Sequence, residues 1–166
     1  HRGMTETPNI DEWLAHVEMA SRGAGNRDLR SEIFLAREGE RHVPRPLPTD
    51  VPPGEPKACF HNAQMLAMNR PDLLYAEGFA HSIITTEHAW CVDIEGNVVD
   101  PTWPNPEAVE YLGVAFRSDF VARRLLEREK SGPLLNDRQS DFEIVRGRLS
   151  ESEWRIKTGF VAAPFP

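Results

Sequence analysis

Apolar residues return at helical spacing between residues 9 and 21, where Ile10, Trp13, Leu14, Val17 and Ala20 or Ser21 fall on one side. The pattern predicts an amphipathic helix with Asn9 or Asp11 as its cap. Arg22-Gly23-Ala24-Gly25-Asn26 ends it. A second helix is predicted from about Asp28 to Arg37, carrying Leu29, Ile33, Phe34 and Ala36. From Val43 to Pro56, six of fourteen residues are proline, which excludes both helix and central strand and leaves an extended connector. Residues 58 to 69 then read as a helix stopped by Arg70-Pro71. Phe60, Ala63, Met65, Leu66, Ala67 and Met68 cover nearly all its sides, so the helix is expected to be buried.

Four strand-like pieces follow, at 73–80, 87–94, 97–100 and 111–116. Glu95-Gly96 joins the second to the third as a hairpin turn. Centring the turn there sets Ala89 to Cys91 against Val99 to Pro101, and Asp100 within one or two residues of His88 on the adjoining strand. A slip of one residue would reverse the face. Alternation puts Cys91 opposite the face of His88 and Trp90. A helix returns at 118–130 and breaks at Ser131-Gly132-Pro133; residues 142–145 read as a strand, and Ser150-Glu151-Ser152-Glu153 as a polar helix start. Helices outside an antiparallel meander make an α+β domain.

A chain of 166 residues suits one domain, here 4–166, with His1-Arg2-Gly3 read as a vector remnant ahead of Met4. A net charge of −7 argues against binding nucleic-acid phosphates. No apolar run approaches the roughly 18 residues a membrane span needs, and no secretory signal is visible, so a cytoplasmic location is the expectation. Two cysteines, Cys59 and Cys91, are too few for a disulfide framework. Cys91 reads as a small buried hydrophobe.

Cys59 differs because it opens a helix. Unpaired N–H groups and the positive end of the helix dipole favour the thiolate there, and the same N–H groups can donate to a developing oxyanion. A thiol nucleophile needs an imidazole to take its proton and a carboxylate to fix the tautomer. His88 and Asp100 are the candidates, which makes Cys59, His88 and Asp100 the expected catalytic set. His61, Asn62, His81 and Trp103 are the further candidates for substrate contact, with Trp90 and Trp103 flanking the set and shielding it from water. Glu77 sits oddly in a half-buried strand and is expected to lie on an exposed face or to serve as a structural hydrogen-bond partner.

These contexts resemble the transglutaminase-like superfamily, relatives of the papain-type thiol enzymes. The pieces that carry the likeness are Cys59 to Ala67, Tyr75-Ala76-Glu77-Gly78-Phe79, His88-Ala89-Trp90 and Asp100-Pro101-Thr102, in the family's order and within about residues 53–116. The resemblance implies a transglutaminase-like, papain-like core in which a helix packs on an antiparallel sheet. It also implies a thiol acyl-transfer enzyme, hydrolysis being the better expectation, acting on a peptide, a protein or a small amide or ester without cofactor or metal. The family's side-chain donor to the oxyanion has no match in this chain. The competing readings are a non-catalytic peptide- or protein-binding module with a vestigial site, and a zinc site from Cys59, His61, His81 and His88. A Cys-x-His pair on one helix aims poorly at a single ion, which weighs against zinc.

Overall fold

The computed structural model describes residues 9–23 and 29–159. The remnant read at 1–3, Met4, and the predicted helix start at Asp28 lie outside the described residues.

The first helix, α1, spans Ile10–Ser21, and the Asn9 side chain caps it by accepting from the Glu12 N–H at 3.1 Å. The second, α2 (Arg30–Glu38), ends at Gly39 and leads into a three-residue strand, β1 (Glu40–His42), that the sequence did not announce. Its Glu-Arg-His composition offers no apolar alternation to read. The proline-rich connector then runs without helix or ladder to α3 (Cys59–Asn69). Strands β2 (Leu74–His81), β3 (Thr85–Val92) and β4 (Val98–Val99) form an antiparallel meander. Next come β5 (Glu110–Phe116), α4 (Ser118–Arg128), the short helix α5 (Glu151–Trp154) and β6 (Arg155–Ile156).

The strand order is β1-β5-β2-β3-β4, with β6 also on β5. The sheet curls until its ends meet: Val43, just past β1, bridges Asn97, just before β4, through Val43 N–H to Gly96 O at 2.8 Å and Val98 N–H to Val43 O at 2.9 Å. Small side chains make the curl possible. Ala76, Gly78 and Ala80 on β2 and Gly113 and Ala115 on β5 line the inner face, where Trp90 and Tyr111 supply the bulk. A Cβ on Gly113 would meet the Trp90 ring at 2.8 Å, and one on Gly78 would meet the Leu112 carbonyl oxygen at 2.0 Å. The outer face carries Tyr75, Phe79, Ala89, Cys91, Val114 and Phe116, and the helices pack on it through Ile10, Leu35, Ala63, Ala67, Phe120 and Val121. Helices and an antiparallel sheet thus form an α+β fold.

Three expectations need correction. Only Ala63, Gln64 and Ala67 of α3 are buried; the remaining apolar residues are half-covered because the helix has the sheet on one side and only α4 and the connector elsewhere. Residues 142–145 are turn rather than strand, since Asp141 and Phe142 take left-handed φ values of 57° and 58° that no ladder accommodates. Around the hairpin, Cys91 faces Val99 and Val92 faces Val98, one residue from the centring first read. The turn runs from Asp93 to Asn97, where Asp93 Oδ1 accepts from the Glu95 and Asn97 N–H groups and Gly96 takes φ 86°.

Candidate active site

That register decides the site. Continuing the pairing places Asp100 beside Trp90 and on the same inner face as His88. His88 Nε2 lies 2.8 Å from Asp100 Oδ2, with His88 1% exposed and Asp100 fully buried. Asp100 Oδ2 also accepts from the Tyr111 hydroxyl at 2.7 Å, while Oδ1 accepts from the N–H groups of Thr102 at 2.9 Å and Trp103 at 3.3 Å. Four donors surround the carboxylate, which fixes its position and compensates its burial.

Cys59 is the first residue of α3, and Ala58 before it provides no side-chain cap. Cys59 is partly exposed as a residue, and its thiol neighbours the imidazole. With Nε2 engaged by Asp100, Nδ1 is the ring nitrogen left for the thiol. Burial by itself lowers the His88 pKa, but the Asp100 hydrogen bond and the neighbouring Cys59 thiol outweigh it and hold the imidazole above its ordinary value. No bond of ordinary length and angle joins Cys59 to His88; such contacts commonly tighten only when substrate binds.

Two indoles stack near the imidazole. Trp103 stacks on His88 with ring centroids 3.9 Å apart, and Trp90 stacks at 5.9 Å. Trp103 is half-buried, so it covers His88 while keeping an outward edge. Trp90 is fully buried and donates to His42 Nδ1 at 3.0 Å. His42 accepts that bond as a neutral ring, since burial, with the Arg155 charge nearby, pushes its pKa down to about 3.

The other sequence-derived candidates separate. His61 is exposed, bonds Ser131 Oγ through Nδ1 at 3.1 Å, and borders a cavity of about 410 Å³ lined by Val51, Pro52, Met65, Leu66 and Pro101. Asn62 is not a free substrate contact: its Nδ2 donates to Glu55 O at 2.8 Å and Thr102 Oγ1 at 3.0 Å, tying α3 to the connector and to the Asp100 loop. His81 does not join the site either. Pairing of Gly78 with His88 and of His81 with Thr85 puts His81 on the outer face, where it is buried and bonds Thr85 Oγ1 at 2.8 Å. Cys91 lies on that face as expected, donating to Ala63 O at 3.2 Å, and burial pushes its pKa up. Among the described residues, no three His, Cys, Asp or Glu side chains are grouped to hold a metal ion.

Glu77 is a structural hydrogen-bond partner, 2% exposed, accepting from the Tyr75 hydroxyl at 2.6 Å and from the N–H groups of Leu134 and Leu135 at 2.7 and 2.9 Å. Burial pushes its carboxyl up to about 8 against the pull of these donors. Sequence reasoning missed Tyr111 and His42. For Tyr111 a signal existed, because a phenol inside a strand near an aspartate needs a partner when buried; His42 had none, since its strand was not recognised. Comparison with protein-family models, curated proteins and solved structures returned no match.

Proposed function

We propose that this protein is a thiol-dependent acyl-transfer enzyme, most simply a hydrolase of amides or esters, built on a transglutaminase-like core. The observation that carries the reading is the buried 2.8 Å His88–Asp100 contact with the helix-opening Cys59 thiol beside the imidazole. Two helical or strand residues meeting in a buried ion pair have a bland explanation, as a core contact. A partly exposed cysteine at an uncapped helix start on the free side of that imidazole does not.

In this reading Cys59 loses its proton to His88 and its sulfur attacks the substrate carbonyl carbon. The carbonyl oxygen takes up negative charge facing the unclaimed N–H groups of the first turn of α3, donors worth about 2.7–4 kcal/mol each in comparable sites. Collapse breaks the C–N or C–O bond, and His88 returns its proton to the leaving amine or alcohol. Water, deprotonated by His88, then attacks the thioester carbon, the C–S bond breaks, and the carboxylic acid departs. Asp100 keeps Nε2 protonated throughout and steadies the imidazolium. Trp103 covers the outer side of the ring. The 410 Å³ cavity, starting one turn along α3 from the thiol at His61 and Asn62, suits an apolar substituent of the acyl group.

Intact mass spectrometry after exposure to a panel of p-nitrophenyl esters and peptide thioesters tests the proposal. An acyl adduct on Cys59 in the wild type, absent in Cys59→Ser and slower to form in His88→Ala, is the expected result. An acylation pattern unchanged by Cys59→Ser rejects it.

A further inference from the structure

A cavity of about 360 Å³ opens on the outer side of the sheet at the start of α2, where Ser31, Glu87 and Arg138 all face it. Three observations there have no role in the thiol chemistry. The first is Ser31, 6% exposed, whose Oγ has no hydrogen-bond partner. A buried hydroxyl left alone is costly, and native folds seldom leave one without an occupant to meet it. The second is the helix start itself. Leu29 offers α2 no side-chain cap, so the Arg30 and Ser31 N–H groups remain available for an anion, while the Glu32 N–H meets its own carboxylate.

The third is an arrangement of charge. Arg30, Arg138, Glu32 and Glu87 line one cavity, yet among the described residues neither arginine pairs with either glutamate. The Arg30 guanidinium lies instead over the Phe142 ring, 4.7 Å from its centroid, and Glu87 accepts a 3.2 Å bond from Asn136 Nδ2. Burial, then the charge of Glu32, holds the Glu87 carboxyl above its ordinary value, with the Asn136 bond opposing. Opposite charges that face the same space without meeting leave complementary ends for a ligand that carries both signs. A simple anion would satisfy Ser31 and the arginines while facing the glutamates. A simple amine would do the reverse. Phe79 and Phe142 add an apolar wall.

We propose that this cavity binds a free α-amino acid with an apolar side chain, its carboxylate set against the α2 start, Ser31 and the arginines and its ammonium group against Glu87. The site is separate from Cys59: Glu87 precedes His88 in β3 and therefore points to the other face of the sheet.

Isothermal titration calorimetry of the full chain with L-leucine and L-phenylalanine provides the test, beside 4-methylpentanoate and 3-methylbutan-1-amine, which each lack one charged group of leucine. Saturable binding of one amino acid per chain is expected, with both truncated compounds at least about tenfold weaker, as loss of one charged hydrogen-bonded contact implies. Glu87→Gln and Ser31→Ala should weaken leucine by about tenfold each. Arg138→Ala, at an exposed position, keeps the test valid if either of those variants fails to fold. No binding of either amino acid at about 10 mM, where a site of even millimolar affinity would be occupied, overturns the proposal. So does equal binding of leucine and 4-methylpentanoate. Acylation of Cys59 is unaffected by either outcome.

Discussion

The Tyr111 hydroxyl donates to Asp100 Oδ2 at 2.7 Å, and His88 Nε2 meets the same oxygen at 2.8 Å. One buried atom therefore serves two strands, β3 through His88 and β5 through Tyr111. Removing the phenol oxygen leaves the fully buried Asp100 carboxylate short of a donor. Tyr111→Phe is expected to cost about 1.5–3 kcal/mol of stability, the usual range for a hydrogen bond to a charged group. Urea unfolding of the two proteins measures it, and a difference below about 0.5 kcal/mol, the scatter of neutral surface changes, would remove the bond from any structural account.

The two cysteines should behave differently toward iodoacetamide. Cys59 is partly exposed at a helix start beside an imidazole, whereas Cys91 is buried, bonded to Ala63 O and held protonated by its surroundings. Brief treatment at pH 6 followed by peptide mass mapping is expected to modify Cys59 alone. Comparable labelling of both would take away the basis for a nucleophilic thiol.

Asp100→Asn should lower turnover less than Cys59→Ser or His88→Ala, once a substrate is in hand. A thiolate–imidazolium pair depends on the carboxylate less than a serine triad does, where the corresponding loss is about 10⁴-fold. The change should also move the pH profile. Asp100 is part of what raises the His88 pKa, so without it the imidazolium is lost at lower pH and the alkaline limb shifts downward. An unshifted limb would mean that His88 does not set it.

Glu77 predicts a pH dependence of stability. Its carboxyl titrates near 8 in the fold and near 4.3 in the unfolded chain, so between those values the native state binds the extra proton. Stability from this group is fully present below about pH 4.3 and is lost as pH rises through about 8. Urea unfolding at pH 5 and pH 8 should find the wild type weaker at pH 8, and Glu77→Gln should flatten the difference. A variant with the wild-type slope assigns that slope to other groups.

Much of this was legible in the sequence, and the failures have physical causes. The α3 boundaries, the β3–β4 hairpin and the proximity of His88 to Asp100 follow from proline stops, a Gly turn and period-two counting. The neighbour of β2 did not: β5 lies beside it because Gly78 and Gly113 allow a close approach, and a pairing across more than thirty residues leaves no local trace. β1 and β6 are too short and too polar for any period to emerge. Asn62 and His81 looked available because a polar residue near a helix start or strand end usually faces water. Their positions were decided by the connector and by strand parity, neither of which a linear reading weighs.

The bridge between Val43 and Asn97 also bears on how copies of this chain meet. Strands at the rim of an open sheet carry rows of unused amides that invite a neighbouring molecule to add on, the first step toward fibres. Here the rim strands are three and two residues long, and the chain beside each is bonded to the other. Where that bridge closes the sheet the backbone thus offers little template for growth, and encounters between molecules at that seam must rely on side chains.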